Sequence, residues 1–193
     1  MRGLSSIDDR VARRIVALLA PFAFQAEEWL LRAGERAERS FFVLTGLVRE
    51  LYVAEDGTEH TRVFVAEGQV TGSLLDLLSR EPSLTHIQAI EATSGLCLSY
   101  RALDALSRTE PAIERLLRRS AEALYVRKAK REHEMLALSA AERYRKWIAE
   151  HPELDARVSR RHLASYLGMT PEHLSRLATG AASRRSPPTR SGR

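Results

Sequence analysis

RRHLASYLGMTPEHLSRL, residues 160–177, is the stretch that decides the fold, because it predicts two short helices joined by a tight turn. Ser159 is a good N-cap for the first helix, and Gly168 stands where a left-handed turn favours glycine. Thr170 and Pro171 then supply an N-cap and a first helical residue for the second helix. This succession is typical of a helix-turn-helix.

The outward face of the second helix carries side chains that suit DNA bases. Helical spacing turns Leu174 inward and leaves four polar side chains outward as candidates for base reading: Glu172, His173, Ser175 and Arg176. Arginine suits guanine, and a carboxylate suits the cytosine amino group. Phosphate contacts are expected from four further residues: Ser159, Arg160, Arg161 and Thr170. The alternative interpretation is a structural helical hairpin that contacts no nucleic acid.

Composition indicates a globular protein with an excess of positive charge. Of its 193 residues, 44% are hydrophobic and 28% are charged; the formal net charge is +5 and the pI is near 9.8. Such a charge suits a polyanionic partner. Cys97 is the single cysteine, and no cofactor or metal site is expected. The charged start and the lack of a long apolar run predict a soluble, cytoplasmic protein without membrane contact.

The rest of the chain predicts an α+β protein. Residues 7–19 have helical periodicity, whereas residues 29–100 contain six short extended runs: WLLRA, SFFVLTG, LVRELYV, HTRVFVA, HIQAIEA and LCLSY. Asp56-Gly57, between two of these runs, predicts a hairpin turn. Short strands separated by turns are typical of a jelly-roll sandwich or barrel, here with a short helix at residues 74–78.

A long helix is predicted to follow the β region. It begins at Glu110-Pro111 and has a stripe of four residues near one face: Ile113, Leu117, Ala121 and Leu124. Its charged second half has few apolar anchors, so the length of the helix indicates pairing with a second copy of the chain. Ser139 and Glu142 form a capping box for the next helix. The domain boundary and hinge are therefore expected at Leu138-Ser139.

These patterns divide the chain into four parts. A β-roll effector-binding-like domain with an N-terminal helix spans residues 1–109, and the long dimerisation helix spans residues 110–138. A helix-turn-helix DNA-binding domain spans residues 139–177. Residues 178–193 lack apolar periodicity and are predicted to form a disordered basic tail.

The order of these elements resembles the family of the cyclic-AMP receptor protein and the fumarate–nitrate reductase regulator (Crp/Fnr). The resemblance covers residues 29–177; its specific parts are LLRAGERAERSFFVLTGLVRELYVAEDGTEHTRVFVAEGQVTGSLL and SRRHLASYLGMTPEHLSRL. It implies a homodimeric, non-enzymatic transcription regulator of double-stranded DNA, with the long helix as the dimer seam. It also places Glu172 and Arg176 on the family's base-contacting glutamate and arginine, and Pro171 where a second arginine often stands.

The same resemblance implies a small effector in the β-roll, at five positions: Gly72, Ser73, Leu74, Ser83 and Leu84. Members that bind cyclic nucleotides have Gly-Glu-Leu and an Arg-Ser pair there, and the arginine grips the cyclic phosphate. A phosphate buried without that arginine loses a charge-assisted contact, and Arg80 has the wrong spacing to replace it. Cyclic AMP is therefore not the expected effector, and the effector stays unidentified.

A cupin-like small-molecule-binding protein or metal-dependent enzyme, with a structural helical tail, is the alternative from another class. Its site needs several histidines and a carboxylate on adjacent strands, and Glu59-His60 supplies one pair without a second histidine. His133-Glu134 resembles the start of a zinc-protease helix, but Ala137 stands where the second histidine belongs. Cys97 is expected to be a buried, inert thiol.

Overall fold

The computed structural model describes the backbone of residues 8–183 and the side chains of residues 8–179. The chain divides into two compact units, one ending at Ala129 and the other beginning at Lys130. None of the helices described between residues 8 and 183 is long and apolar enough to cross a membrane.

Two four-stranded antiparallel sheets form the body of the N-terminal unit. In chain order the strands are β1 (Ala20–Phe24), β2 (Trp29–Leu31), β3 (Arg39–Thr45), β4 (Val48–Val53), β5 (Glu59–Val65), β6 (Val70–Thr71), β7 (His86–Ala89) and β8 (Thr93–Ser99). One sheet has the order β1-β8-β3-β6 and the other the order β2-β7-β4-β5. We call this pair of sheets the β-roll. A core cluster drawn from both sheets fills it: Leu31, Val43, Val48, Val65 and Ile87.

The six predicted extended runs all contain strands, whereas β1 and β6 were not predicted. β1 contains Pro21, which lacks an N–H and is tolerated because β1 lies at the edge of its sheet. Residues 20–24 pair with β8, so the helix predicted for residues 7–19 ends early, at Val16. The predicted hairpin joins β4 to β5, with Gly57 at a φ of 81° and the Asp56 carboxylate accepting from the Thr58 N–H.

Seven helices are described, which we number α1 (Asp9–Val16), α2 (Leu74–Ser79), α3 (Tyr100–Ser107), α4 (Pro111–Ala137), α5 (Ala140–Glu150), α6 (Arg160–Leu167) and α7 (Pro171–Ser183). The short helix predicted at residues 74–78 is α2, and the predicted long helix is α4. The capping box at α5 is confirmed, because the Ser139 hydroxyl accepts from the Glu142 N–H while the Glu142 carboxylate accepts from the Ser139 N–H.

A helical cluster closes the N-terminal unit. Val11 of α1, Leu106 of α3 and Ile113 of α4 are buried together, and Leu117 packs against them. At the same place Glu110 accepts two hydrogen bonds from Arg10, at 2.7 and 2.9 Å, and a third from Arg14. Ile113 is 0% exposed within its own chain, so the expectation that it forms part of a dimer seam is wrong.

The C-terminal unit contains the end of α4 together with α5, α6 and α7. Its buried side chains are Tyr144, Trp147, Leu154, Val158, Leu163, Ala164, Leu167 and Leu174. The second helix of the pair was predicted to end at Leu177, and that limit is wrong, because α7 continues to Ser183. Alanine favours helix at positions 178, 181 and 182, and the Thr179 hydroxyl bonds back to the carbonyls of Ser175 and Arg176. Residues 184–193 of the predicted tail lie outside the described residues.

Candidate nucleic-acid interface and effector region

The turn between α6 and α7 has the geometry that its sequence predicts. Gly168 follows the last residue of α6 with φ 66° and ψ 45°, a left-handed conformation that glycine adopts without steric cost. The Met169 N–H then donates to the Ala164 carbonyl at 3.0 Å. Ala164 is fully buried, so its small side chain lets the backbone of α6 pack closely in the unit.

The polar face of α7 is open to solvent. Glu172, Ser175 and Arg176 are exposed and His173 is half-buried, whereas Leu174 is 0% exposed and anchors the helix to its unit. The predicted base-reading residues therefore share one side of α7, with His173 at its margin. The arrangement leaves a carboxylate and a guanidinium free to meet a ligand from outside.

Glu172 is held in its charged form. The pKa of its carboxyl is lowered by its own backbone N–H and by the Thr170 hydroxyl, and the charge of Arg176 adds to the effect. The carboxylate can therefore act as a hydrogen-bond acceptor at neutral pH.

The four predicted phosphate-binding residues are all exposed, but two of them also cap helices. The Ser159 hydroxyl accepts from the His162 N–H at 3.1 Å, and the Thr170 hydroxyl accepts from the His173 N–H at 3.2 Å. Arg160 pairs with Asp155 at 3.1 Å, an exposed contact of small energetic value. Arg161 is an exposed cation.

Two arginines that the sequence analysis did not place here hold the C-terminal end of α6. Arg131, on the last turns of α4, donates to the Tyr166 carbonyl, and its guanidinium carbon lies 4.1 Å from the centroid of the Tyr166 ring. Arg143 donates to the Leu167 carbonyl at 2.8 Å and to the Leu138 carbonyl at 2.6 Å. The bonds to Tyr166 and Leu167 satisfy carbonyls that α6 itself leaves unpaired, and the bond to Leu138 joins α5 to the residue after α4.

The end of α4 makes further contacts within the C-terminal unit. The Lys146 ammonium lies 3.0 Å from the Glu134 carboxylate, and Met135 lies against Gly168, where its methyl is 2.6 Å from the position of an added Cβ. The predicted boundary at Leu138-Ser139 therefore lies inside the unit that begins at Lys130.

Three of the five predicted effector residues, Gly72, Ser73 and Ser83, belong to a buried polar network inside the β-roll. Ser73 and Ser83, from the segments before and after α2, are linked through Thr85, whose hydroxyl donates to the Ser73 hydroxyl at 3.2 Å. The Ser83 hydroxyl lies 2.5 Å from the Asp76 carboxylate. Gly72 contributes a backbone N–H 3.5 Å from the Glu50 carboxylate. Leu84 is 65% exposed and takes no part in this network.

The charged members of the network were not predicted. Glu50 accepts from the Thr71 hydroxyl at 2.9 Å and lies 3.5 Å from Arg62, which in turn donates to Thr85 at 3.1 Å. Side chains along a strand point alternately to the two faces of the sheet, so this pattern would have assigned half of the positions in β4 and β5 to solvent. Glu50 is interior because of the way the strands pair, and strand pairing cannot be read from the residues next to it in the sequence.

A separate cleft of about 800 Å³ opens on the surface of the N-terminal unit, lined in part by Arg36, Glu38, Arg80, Tyr100, Arg101 and Asp104. None of the five predicted effector residues lines it. Arg80 ends α2 at a φ of 61°, and its exposed side chain belongs to this cleft. Its backbone N–H donates to the Asp76 carbonyl at 3.1 Å, but among the described contacts its guanidinium does not bind the Asp76 carboxylate or the Ser83 hydroxyl.

The metal-enzyme alternative depended on Glu59 and His60, and the glutamate of this pair forms an ion pair with an arginine. The Glu59 carboxylate lies 2.7 Å from the buried Arg49 guanidinium, while His60 is exposed. Within the described part of the chain, no group of three or more histidine, cysteine, aspartate or glutamate side chains could hold a metal ion.

The chain is similar to a known domain family and to several solved structures. Residues 21–110 match the cyclic nucleotide-binding domain. No curated protein matches the sequence significantly. Among solved structures, FixK2 from Bradyrhizobium japonicum is 25% identical with a TM-score of 0.73, covering 86% of this chain and 85% of that one.

Two more distant structures share the fold. The c-di-GMP-responsive global regulator CLP from Xanthomonas campestris is 18% identical with a TM-score of 0.74, covering 92% of this chain and 93% of its own. A Crp/Fnr-family transcriptional regulator from Eubacterium rectale is 10% identical with a TM-score of 0.76, covering 95% and 88%. At these identities the likeness shows a common fold.

Proposed function

We propose that this chain, which resembles regulators of the Crp/Fnr family, acts as a homodimer that binds double-stranded DNA and controls transcription. The observation that carries the proposal is the exposed face of α7. Glu172, Ser175 and Arg176 lie on this face in contact with solvent, while the buried Leu174 anchors the helix to its unit. Each copy of α7 enters the major groove of one half-site, and the two half-sites lie about one helical turn apart.

Base reading is assigned to Glu172 and Arg176, with His173 and Ser175 beside them. Arginine donates two hydrogen bonds to guanine, and the ionised Glu172 accepts from the cytosine amino group. Arg160 and Arg161, with the capping residues Ser159 and Thr170, contact phosphates. These contacts orient the helix on the duplex and make the affinity dependent on salt.

The dimer seam is assigned to the middle of α4. Leu124 is half-buried, and next to it Tyr125 and Val126 are 73% and 49% exposed. Leu117 is largely covered by its own chain, so the seam begins near Ala121 and continues through Leu124. Burial of these apolar side chains against a second copy gives the free energy for association.

A DNA-binding experiment on the full chain tests the proposal directly. Random duplexes are selected on the purified protein, and the enriched sequence is measured by fluorescence anisotropy at two salt concentrations. A two-fold symmetric site, bound far more tightly than a scrambled duplex, is the expected result. Equal affinity for both duplexes contradicts a sequence-specific regulator.

The cupin-like alternative makes a different prediction in the same preparation. A metal-dependent site would retain zinc, iron or manganese in stoichiometric amount through purification, as measured by elemental analysis. The ion pair between Arg49 and Glu59 argues against that result, because it occupies the carboxylate that precedes His60 in the sequence.

A further inference from the structure

We propose that Asp76 supplies, from within the chain, the buried anion that closes the β-roll around α2, so that this regulator binds DNA without a cyclic nucleotide. The DNA-binding part of this inference rests on the function proposed above. The part that concerns nucleotides can be measured on the protein alone.

The first argument is the geometry around Ser83. Asp76 and Ser83 are each 2% exposed, and the Ser83 hydroxyl is 2.5 Å from the Asp76 carboxylate. The same hydroxyl accepts from the Thr85 N–H at 3.0 Å, and the Thr85 hydroxyl donates to Ser73 at 3.2 Å. Side chains of this chain therefore join α2 to the segments on both sides of it, with no ligand atom needed as a bridge.

The second argument is that Ser83 stands where nucleotide-binding relatives have the arginine that grips the phosphate. Its hydroxyl is already committed to a carboxylate, and Arg80 belongs to the surface cleft. An incoming cyclic phosphate would find a serine and an aspartate where relatives offer an arginine. The residues present do not fit a cyclic nucleotide.

The third argument is the balance of charge in the network. Asp76 and Glu50 are both buried carboxylates, and Arg62 is the cation within 3.5 Å of Glu50. Arg62 thus pairs with Glu50, and no salt bridge to Asp76 is present among the described residues. A cyclic phosphate placed beside them adds another negative charge to a poorly solvated region, where an unpaired ion is costly.

The resemblance to nucleotide-binding members implies a cyclic phosphate, gripped by an arginine, between the segments that flank α2. Here the Asp76 carboxylate takes the role of the phosphate and the Ser83 hydroxyl takes the role of its donor. The position of α2 is thereby set by folding alone, and the protein requires no nucleotide for its DNA-binding form.

The first arm of the test is calorimetric titration of the full-length wild-type chain with cyclic AMP and, separately, with cyclic GMP. We expect no saturable heat and no rise in Tm at millimolar nucleotide. Saturable binding of either nucleotide, or a Tm that rises with its concentration, overturns the inference. This arm does not depend on DNA.

The second arm measures DNA affinity without any nucleotide, for the wild type and for Asp76→Ala. Loss of the internal anion is expected to weaken affinity for the selected site about tenfold, within the usual range of coupling between sites. Equal affinity overturns the closing role of Asp76. Asp104→Ala is the matched control, because it removes a carboxylate outside the network, which pairs with Arg108 at 3.1 Å, and it should leave affinity unchanged.

If Asp76→Ala does not fold, Ser83→Ala tests the inference in its place. It removes the same hydrogen bond and retains the carboxylate, and we expect it to weaken DNA affinity in a protein with an unchanged circular dichroism spectrum. An unchanged affinity overturns the inference. A wild-type chain that binds no DNA sequence refutes the proposed function instead, and the calorimetric arm then still decides whether the β-roll excludes nucleotides.

Discussion

The guanidinium carbon of Arg131 lies 4.1 Å from the centroid of the Tyr166 ring, and the same guanidinium donates to the Tyr166 carbonyl. The contact joins the end of α4 to the end of α6, the helix that precedes the turn at Gly168. A hinge at Leu138-Ser139 would have to break this contact and the pair between Glu134 and Lys146. The division between the two compact units accordingly falls within α4, between Ala129 and Lys130.

Replacing Arg131 by alanine should destabilise the C-terminal unit by about 2 kcal/mol, because both a cation–π contact and a charged hydrogen bond are lost. Urea denaturation followed by the fluorescence of Trp147, in a Trp29→Phe background that removes the other tryptophan, measures the change. Arg131→Lys is the matched variant: it keeps the charge but cannot reproduce the planar stacking, so an intermediate loss is expected. Stability equal to the wild type in Arg131→Ala would show that the contact is energetically neutral.

Replacing Arg176 by alanine should relax base preference at one position in each half-site, at a cost of about 1–3 kcal/mol for that position. The measurement is anisotropy on a set of duplexes that differ at single positions. Arg115→Ala removes the same charge from an exposed site on α4 and serves as the control. A uniform loss across all duplexes would assign Arg176 to phosphate contact.

The cluster of Arg10, Arg14 and Glu110 predicts a dependence of stability on pH. The pKa of Glu110 is lowered, mainly by the hydrogen bonds from Arg10, so the pair stabilises the fold at pH values above the unfolded pKa of about 4.3. This contribution is lost as the pH falls through the lower, folded pKa.

Glu110→Gln should therefore have a lower Tm than the wild type at pH 7, and the difference should shrink as the pH falls below about 4.3. Glu114→Gln, in the same turn of α4, is the control for the effect of charge at the start of a helix. A Tm difference that stays constant from pH 7 to acid would exclude the ionised Glu110 as its cause.

Replacing Ser139 by alanine should cost about 1 kcal/mol of stability, because one half of the capping box at α5 is lost. The pKa of Glu142, lowered mainly by its hydrogen bonds with Ser139, should rise in the variant. Ser120→Ala is the control: it lies within α4, exposed, where alanine is the better helix former. If Ser120→Ala were destabilised as well, loss of the cap would not explain the lower stability of Ser139→Ala.

Replacing Leu124 by glutamate should convert the dimer to a monomer and abolish tight binding to the symmetric site, since a charge is placed in an apolar seam. Sedimentation velocity measures the first effect and anisotropy the second. Val70→Glu changes another exposed apolar residue, 56% exposed on β6, and should remain dimeric. A dimeric Leu124→Glu protein would move the seam away from the middle of α4.

Local signals predicted much of this protein. The capping box at Ser139, the cap at Ser159 and the turn at Gly168 depend on side chains within a few residues of one another, and each is present as predicted. The extended runs were also recognised, because alternation is a local property of a half-buried strand. The limit placed at Leu177 failed because helix propensity and the back-bonding of Thr179 outweigh the cost of Gly180.

Local sequence patterns could not predict the long-range contacts. Ile113 looked like part of a free apolar stripe, but α1 and α3 cover it inside the chain. Strand β6 has two residues, too few for any pattern to stand out. Glu50 is buried because Thr71 and Arg62 meet it from other strands, and no window of sequence contains all three residues.

By itself, the sequence determined where helices begin, where the backbone turns and which face of α7 is polar, because these properties follow from neighbouring residues. Tertiary structure alone decided that Arg131 belongs with Tyr166 and Arg10 with Glu110, pairs that lie 35 and 100 residues apart in the chain. It also decided that Asp76, Ser83 and Thr85 share one buried hydrogen-bond network, because a buried hydrogen bond depends on the direction of each side chain after the sheets have packed.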